Sequence, residues 1–211
     1  MDDLSSEYKT IKGQHSSQFE EEKSVFITNI SYVDSEKEAR NFIEHISEKY
    51  KDATHNCTAY IINEVPEIKR YDDNGEPSGT AGIPMLSVLE KNDLKNIVVV
   101  VTRYFGGKLL GKGGLVRAYS KGVSDAIEGN IVYKTPFYVV ELIHSYNVLG
   151  QIENYLIENK IRIINKDFTD KVSQKVYISK DFFEKTTKEL TNLTSGQIEI
   201  NKIEAQMLFT K

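Results

Sequence analysis

Residues Arg103 to Tyr119 read RYFGGKLLGKGGLVRAY. Five glycines fall within nine residues (Gly106, Gly107, Gly111, Gly113 and Gly114), with Lys108 and Lys112 among them and Arg103 and Arg117 outside them. Glycines let backbone N–H groups approach a ligand closely. A helix start after such a loop offers unpaired N–H groups and a partial positive charge. Lysines add whole charges, so the combination suits a phosphate. Arg117 and Lys121 are like charges four apart on a helix, an arrangement that mildly destabilises it and makes sense beside an anion. Tyr104 and Phe105 lie next to these cations, as stacking aromatics do in single-strand binders. The run lacks the Gly-Lys-Ser/Thr ending of a Walker A loop. It also misses the register of the dinucleotide fingerprint.

A second stretch, DDNGEPSGTAGIP, runs from Asp72 to Pro84. Asp72, Asp73 and Glu76 form a possible acidic site, a metal or general-base set. The same acids suit a capped turn, and the spacing fails the calcium-loop register. Ser78, Gly79, Thr80, Ala81 and Gly82 precede another helix start and make a second candidate anion site. His55 and Cys57 are two apart on an expected strand, hence on one face. One cysteine is too few for a structural zinc site, and strand neighbours at that spacing seldom form a nucleophile pair. Packing is the plainer reading of Cys57. No metal site and no cofactor is expected.

The elements that position these groups follow from pattern. SVFITNISYV (Ser24–Val33) reads as a strand, followed by a helix to about Tyr50 capped by Asp34 or Ser35. THNCTAYIIN is a strand, and Glu67–Tyr71 a short polar one. Pro84 suits the first turn of a helix through Lys91. NIVVVVT is a strand buried on both faces. Leu115 to about Glu128 is a helix. Lys134-Thr135-Pro136 suits a hinge. Beyond it the order is β-α-β-β-α-β, the split βαβ, ferredoxin-like plan, with its second helix opened by Asp181. The domains expected are 1–135 and 136–211.

The chain has 211 residues, enough for two small cores, at a net charge of −4. Bulk charge therefore gives no nucleic-acid signal, and local balance carries the argument. Leu94 to Ser124 holds six basic residues and no acid, whereas Glu64 to Glu76 holds five acids and two bases. The longest apolar run, Ile97–Val101, is too short to span a bilayer. The absence of a basic segment leading into an apolar one gives no signal peptide. With a lone cysteine, these features point to the cytoplasm and away from membranes.

ATHNCTAY, DDNGEPSGTAG and VVVTRYFGG…LGKGGLVRAYS resemble the signature blocks of the IMPACT/YigZ-like family, in the family's order and spacing. The resemblance spans about Ser24 to Ile131, and the tail is similar to the second domain of bacterial members. It implies an α+β fold: an N-terminal β/α sandwich like the second domain of small-subunit ribosomal protein five, also seen in GHMP kinases, and a C-terminal ferredoxin-like βαββαβ domain resembling domain V of elongation factor G. It also implies translation or stress regulation, as in eukaryotic members, and contact with nucleic acid or the ribosome. Val25 stands where the family commonly has a basic residue, and Lys108-Leu109-Leu110 where it commonly has Ile-Lys-Leu.

The favoured reading is a cytoplasmic protein that binds RNA or the ribosome, with a partner in the translation machinery. Arg103, Lys108, Lys112, Arg117 and Lys121 would contact phosphates. Two alternatives stand beside it: a phosphate- or nucleotide-binding enzyme of GHMP-like fold, and a protein-interaction module. Both helix starts are expected to face one cleft.

Overall fold

The computed structural model describes residues 6–211. The chain divides into two compact units, Tyr8–Tyr133 and Lys134–Thr210. In the first, the elements run β1 (Tyr8–Ile11), β2 (Gln14–Glu21), β3 (Ser24–Tyr32), α1 (Glu36–Lys49), β4 (His55–Ile62), β5 (Ile68–Asp72), α2 (Gly82–Lys91), β6 (Ile97–Tyr104) and α3 (Gly111–Ile127). A sheet of order β2-β3-β6-β4-β5 is antiparallel throughout.

The unbroken valine run of β6 is explained by two layers. Val98 and Val100 pack with Ala39, Phe42 and Ile46 of α1. Ile97, Val99 and Val101 pack on the other face with Met85 and Leu89 of α2 and Leu115, Tyr119 and Val123 of α3. A strand with a period of two sends alternate side chains to opposite faces, so both faces must be apolar when both are covered. Ser35 caps α1, its hydroxyl accepting from the Glu38 N–H, while Glu38 reaches back to the Asp34 N–H.

The second unit follows with β7 (Ile131–His144), α4 (Leu149–Glu158), β8 (Arg162–Phe168), β9 (Val172–Ser179), α5 (Phe183–Leu193) and β10 (Ile198–Thr210). β9 lies between β7 and β8, and β10 pairs with the other side of β7. This is the ferredoxin-like order expected. Its core gathers Val140, Leu142, Ile152, Leu156, Val176 and Leu190.

Four features differ from expectation. The edge strand β2 has no counterpart in the sequence pattern, because QHSSQFEE is polar, yet it alternates between exposed and half-buried positions as an edge strand should. Helix α3 begins at Gly111, four residues before Leu115, so Gly113 and Gly114 belong to its first turn. Asp181 does not cap α5: it lies in a 3-10 turn, and α5 starts after Phe182 without a side-chain cap. Strand β7 continues through Lys134, Thr135 and Pro136.

Candidate functional site

Strand register assembles the site. Arg103, near the end of β6, lies opposite Phe26 on β3 and His55 on β4. The period of two puts His55 and Cys57 on the face that carries Val101 and Arg103, beneath α2 and α3. Just beyond β5, the turn at Asn74 and Gly75 (φ of 44° and 85°) brings Glu76 over the same strand ends.

The result is a buried polar cluster. Glu76 is 7% exposed and Arg103 5%. Glu76 Oε1 accepts from Arg103 Nη1 at 2.7 Å and from the Tyr119 hydroxyl at 2.8 Å. Arg103 Nη2 reaches Ser24 Oγ at 3.3 Å, and its guanidinium lies over the rings of Phe26 and Phe105. Cys57 Sγ donates to the Asp73 carbonyl at 3.0 Å and lies 3.3 Å from the Tyr119 hydroxyl. Burial pushes the Cys57 thiol up to about 12 and raises the Tyr119 phenol further. Cys57 is therefore no thiolate nucleophile. His55 Nδ1 lies 2.8 Å from the Asn74 carbonyl, and its Nε2 lies 3.9 Å from Glu76 Oε1.

This arrangement reassigns Arg103. Its position in the sequence suggests a surface phosphate contact, but it is buried and ion-paired because β6 carries it under the Glu76 turn. The three acids likewise do not pool. Asp72 Oδ1 accepts from the Asn74 N–H. The Asp73 carboxylate accepts from the N–H groups of Gly79, Ala81 and Gly82 at 2.8, 3.0 and 2.8 Å. Among the described residues, no three His, Cys, Asp or Glu side chains gather as a metal site would require. The second anion site, Ser78 to Gly82, is thus already filled by the protein's own carboxylate, and Thr80 Oγ1 is turned onto the Pro77 carbonyl. Burial pushes the Asp73 carboxyl up, but the three N–H donors outweigh it and hold the acid below its ordinary value.

The start of α3 is different. Its N-cap residue is Leu110, with no side-chain cap and no acid in the first turn. Gly107 and Gly111 hold positive φ (81° and 67°), and a Cβ on Gly106 would lie 2.0 Å from the Lys23 carbonyl. Those three glycines are required by the backbone. Gly113 is not: it has open space where a Cβ would go. Among the described residues, Lys112 and Arg117 make no side-chain hydrogen bond or ion pair. Lys108 pairs with Glu22 and Lys121 with Asp125. Lys108, Gly114, Arg117 and Lys121 line a groove of about 420 Å³, together with Phe19, Glu21 and Glu22.

A separate cavity of about 430 Å³ is lined by His55, Glu76, Arg103, Phe105, Gly111 and Lys112, among others. The expected shared cleft is met only in part. Gly75, Glu76 and Pro77 face the start of α3 there, whereas Gly79 lines a different hollow with Val116 and Ser120. Tyr104 hydrogen-bonds to Asp52 at 2.9 Å, and Phe105 stays about half exposed. The polar cluster around His55, Tyr119 and Ser24 escapes sequence reasoning, since its members are far apart in the chain. His55, Cys57, Glu76 and Arg103 each stand out in the sequence, but nothing there shows that they meet.

Comparison with known proteins bears on the whole chain. The profile of the Impact N-terminal domain matches residues 22–127, and that of a domain of unknown function (DUF1949) matches residues 142–197. The IMPACT family member YvyE of Bacillus subtilis (strain 168) is 40% identical over 95% of this chain and 93% of that protein. The IMPACT family member YigZ of Escherichia coli (strain K12) is 35% identical over 86% and 91%. A solved structure described as the crystal structure of an hypothetical protein superposes with a TM-score of 0.60 at 33% identity, over 95% of this chain and 99% of that one. The Homo sapiens protein named IMPACT is 33% identical over 42% of this chain and 29% of its own length. Two matched domains and full-length bacterial relatives place this chain in the IMPACT family.

Proposed function

We propose that the protein binds RNA or the ribosome in the cytoplasm and acts in the regulation of translation, holding phosphates on the face at the start of α3. The observation that supports this best is the state of that helix start. It is uncapped, free of acids and flanked by Lys112 and Arg117, which have no partner among the described residues. A helix N-terminus of this kind favours an anion. Lys108 and Lys121 sit on the adjoining groove, and their pairs with Glu22 and Asp125 are exposed surface pairs. Such pairs contribute little, so a phosphate can displace the carboxylates.

The test is a titration of single-stranded RNA onto the full chain at several salt concentrations. The slope of log affinity against log salt should be steep. Lys112→Glu with Arg117→Glu should flatten it by about 0.7 for each phosphate no longer neutralised, across RNA sequences alike. Affinity that ignores both salt and these charges would sink the reading in favour of a protein-interaction module. The division into domains at 135/136 is part of the proposal: a fragment ending at Thr135 should unfold cooperatively by itself, and an aggregating or molten fragment would place the boundary elsewhere.

A further inference from the structure

The carboxylate of Glu76 is used on one side only. Its side chain is 3% exposed, and Oε1 alone takes the hydrogen bonds from Arg103 Nη1 and the Tyr119 hydroxyl. Oε2 has no hydrogen-bond partner among the described residues. A buried charge is costly unless its remaining lone pairs are matched. Arg103 Nε is unmatched too, but it is sealed from the surface, whereas Glu76 Oε2 is not. Glu76 lines the 430 Å³ cavity, so a partner for Oε2 comes from there.

His55 adds a second acceptor to the same floor. Its Nδ1 lies 2.8 Å from the Asn74 carbonyl, and a carbonyl only accepts, so Nδ1 carries the proton. Nε2 of the neutral ring is then an acceptor, 3.9 Å from Glu76 Oε1 and likewise unsealed. Two acceptors side by side suit a ligand edge with two adjacent donors. The walls above them are apolar: Phe105, Leu109, Leu110 and Leu115. Phe105 is about half exposed, with the Arg103 guanidinium against its ring. Gly111 and Lys112, which the proposed function gives to RNA phosphates, form the rim. The volume is that of a small-molecule site.

We infer that, when RNA lies on the start of α3, this cavity takes one unstacked guanine from the strand. The inference rests on the RNA reading and adds the base that the site selects. Guanine alone among the four bases carries two neighbouring donors on its Watson–Crick edge, N1–H and the 2-amino group. Glu76 Oε2 and His55 Nε2 accept them, while the ring lies against Phe105. Adenine and cytosine offer an amino group beside an acceptor, and uracil offers N3–H between two acceptors. Each of these turns a lone pair toward Glu76 or His55. Arg103 and Tyr119 are positioning residues, since they hold the Glu76 carboxylate from its far side.

The experiment is fluorescence anisotropy of the full chain with labelled uridine octamers that carry one central guanosine, inosine, 1-methylguanosine or 7-deazaguanosine. Inosine lacks the 2-amino group, 1-methylguanosine lacks N1–H, and 7-deazaguanosine alters only the opposite edge. Guanosine and 7-deazaguanosine should bind alike, about tenfold more tightly than inosine, 1-methylguanosine or the all-uridine octamer. All should share one salt slope, because the base adds no phosphate contact. His55→Ala should narrow the gap between guanosine and uridine at an unchanged salt slope. It is a better variant than one at Glu76, whose loss leaves Arg103 buried without its counter-charge. Steep salt dependence with equal affinity for guanosine, inosine and 1-methylguanosine would overturn the guanine pocket and leave the RNA reading standing. So would a folded His55→Ala protein with the full preference. A lack of salt-dependent binding by every octamer would overturn both. Guanosine monophosphate should compete at least about tenfold less well than the guanosine octamer, having fewer phosphates to neutralise. Equal competition would make the cavity a free-nucleotide site and overturn its link to RNA.

Discussion

Two glycine-rich segments lead into helices on the same face of the sheet, and they treat their helix starts in opposite ways. At α2, Asp73 folds back and saturates the N–H groups of Gly79, Ala81 and Gly82 with an internal carboxylate. At α3 no side chain does this, and the nearest free charges are cations. The acidic segment supplies its own anion and is closed. The basic one supplies cations and leaves the anion to come from outside. Glycine content alone does not distinguish a structural loop from a binding loop; what distinguishes them is whether the chain fills the helix start itself.

The contrast can be broken most severely at Gly106. Its Cβ would meet the Lys23 backbone at 2.0 Å, which no side-chain rotation relieves. Gly106→Ala should cost about 3 kcal/mol or more in urea unfolding. A mild loss would mean that the glycines of this run are not backbone-dictated.

Next is the internal anion. Asp73→Asn removes the charge from three hydrogen bonds and should cost about 2 kcal/mol at neutral pH. The folded acid lies below its ordinary value of 3.8, so its contribution is present above that value and lost as pH falls through the lower folded value. The gap between the wild-type protein and Asp73→Asn should therefore close in acid. A gap that persists unchanged at low pH would show that the carboxylate charge is not what closes the α2 start.

The external anion side predicts smaller changes in stability. Lys112→Glu with Arg117→Glu should leave the urea midpoint nearly unchanged, since neither side chain has a partner among the described residues, while RNA affinity falls. A large destabilisation would mean that these cations are structural. The smallest effect is the sharpest test. Gly113→Ala places a methyl in open space within a helix and should stabilise by up to about 1 kcal/mol. If ligand approach is the reason for glycine there, the more stable protein binds RNA more weakly. Gain of stability with unchanged RNA affinity would remove Gly113 from the site.

Much of the architecture is readable in the chain because it depends on local pattern. The unbroken apolar run of NIVVVVT specifies a strand covered on both faces. The order of strands and helices after Pro136 specifies the ferredoxin-like unit. Strand β2 is the instructive exception: on a sheet edge only one side chain in two is partly covered, so QHSSQFEE carries almost no apolar signal. Pattern places the start of α3 too late for a related reason: Gly111, Gly113 and Gly114 are poor helix formers, so its first turn carries no helical signal in the sequence.

The site divides along the same line. The segregation of charge and the cations Arg117 and Lys121 of α3 follow from neighbours in sequence; that the helix starts at Gly111 without a cap does not. Which charges remain available does not follow either. Arg103, the most promising cation by position, is removed from the surface by a strand pairing that sets it between Phe26 and His55, and by a turn that drops Glu76 onto it. Asp73, the most promising acid, is removed by three N–H groups six to nine residues away. The physical reason is that a charge's role depends on what lies within about 4 Å of it, where Coulomb and hydrogen-bond energies are large. In a sheet those neighbours come from strands tens of residues apart, so pattern places the charges and tertiary packing decides which of them are left for a ligand.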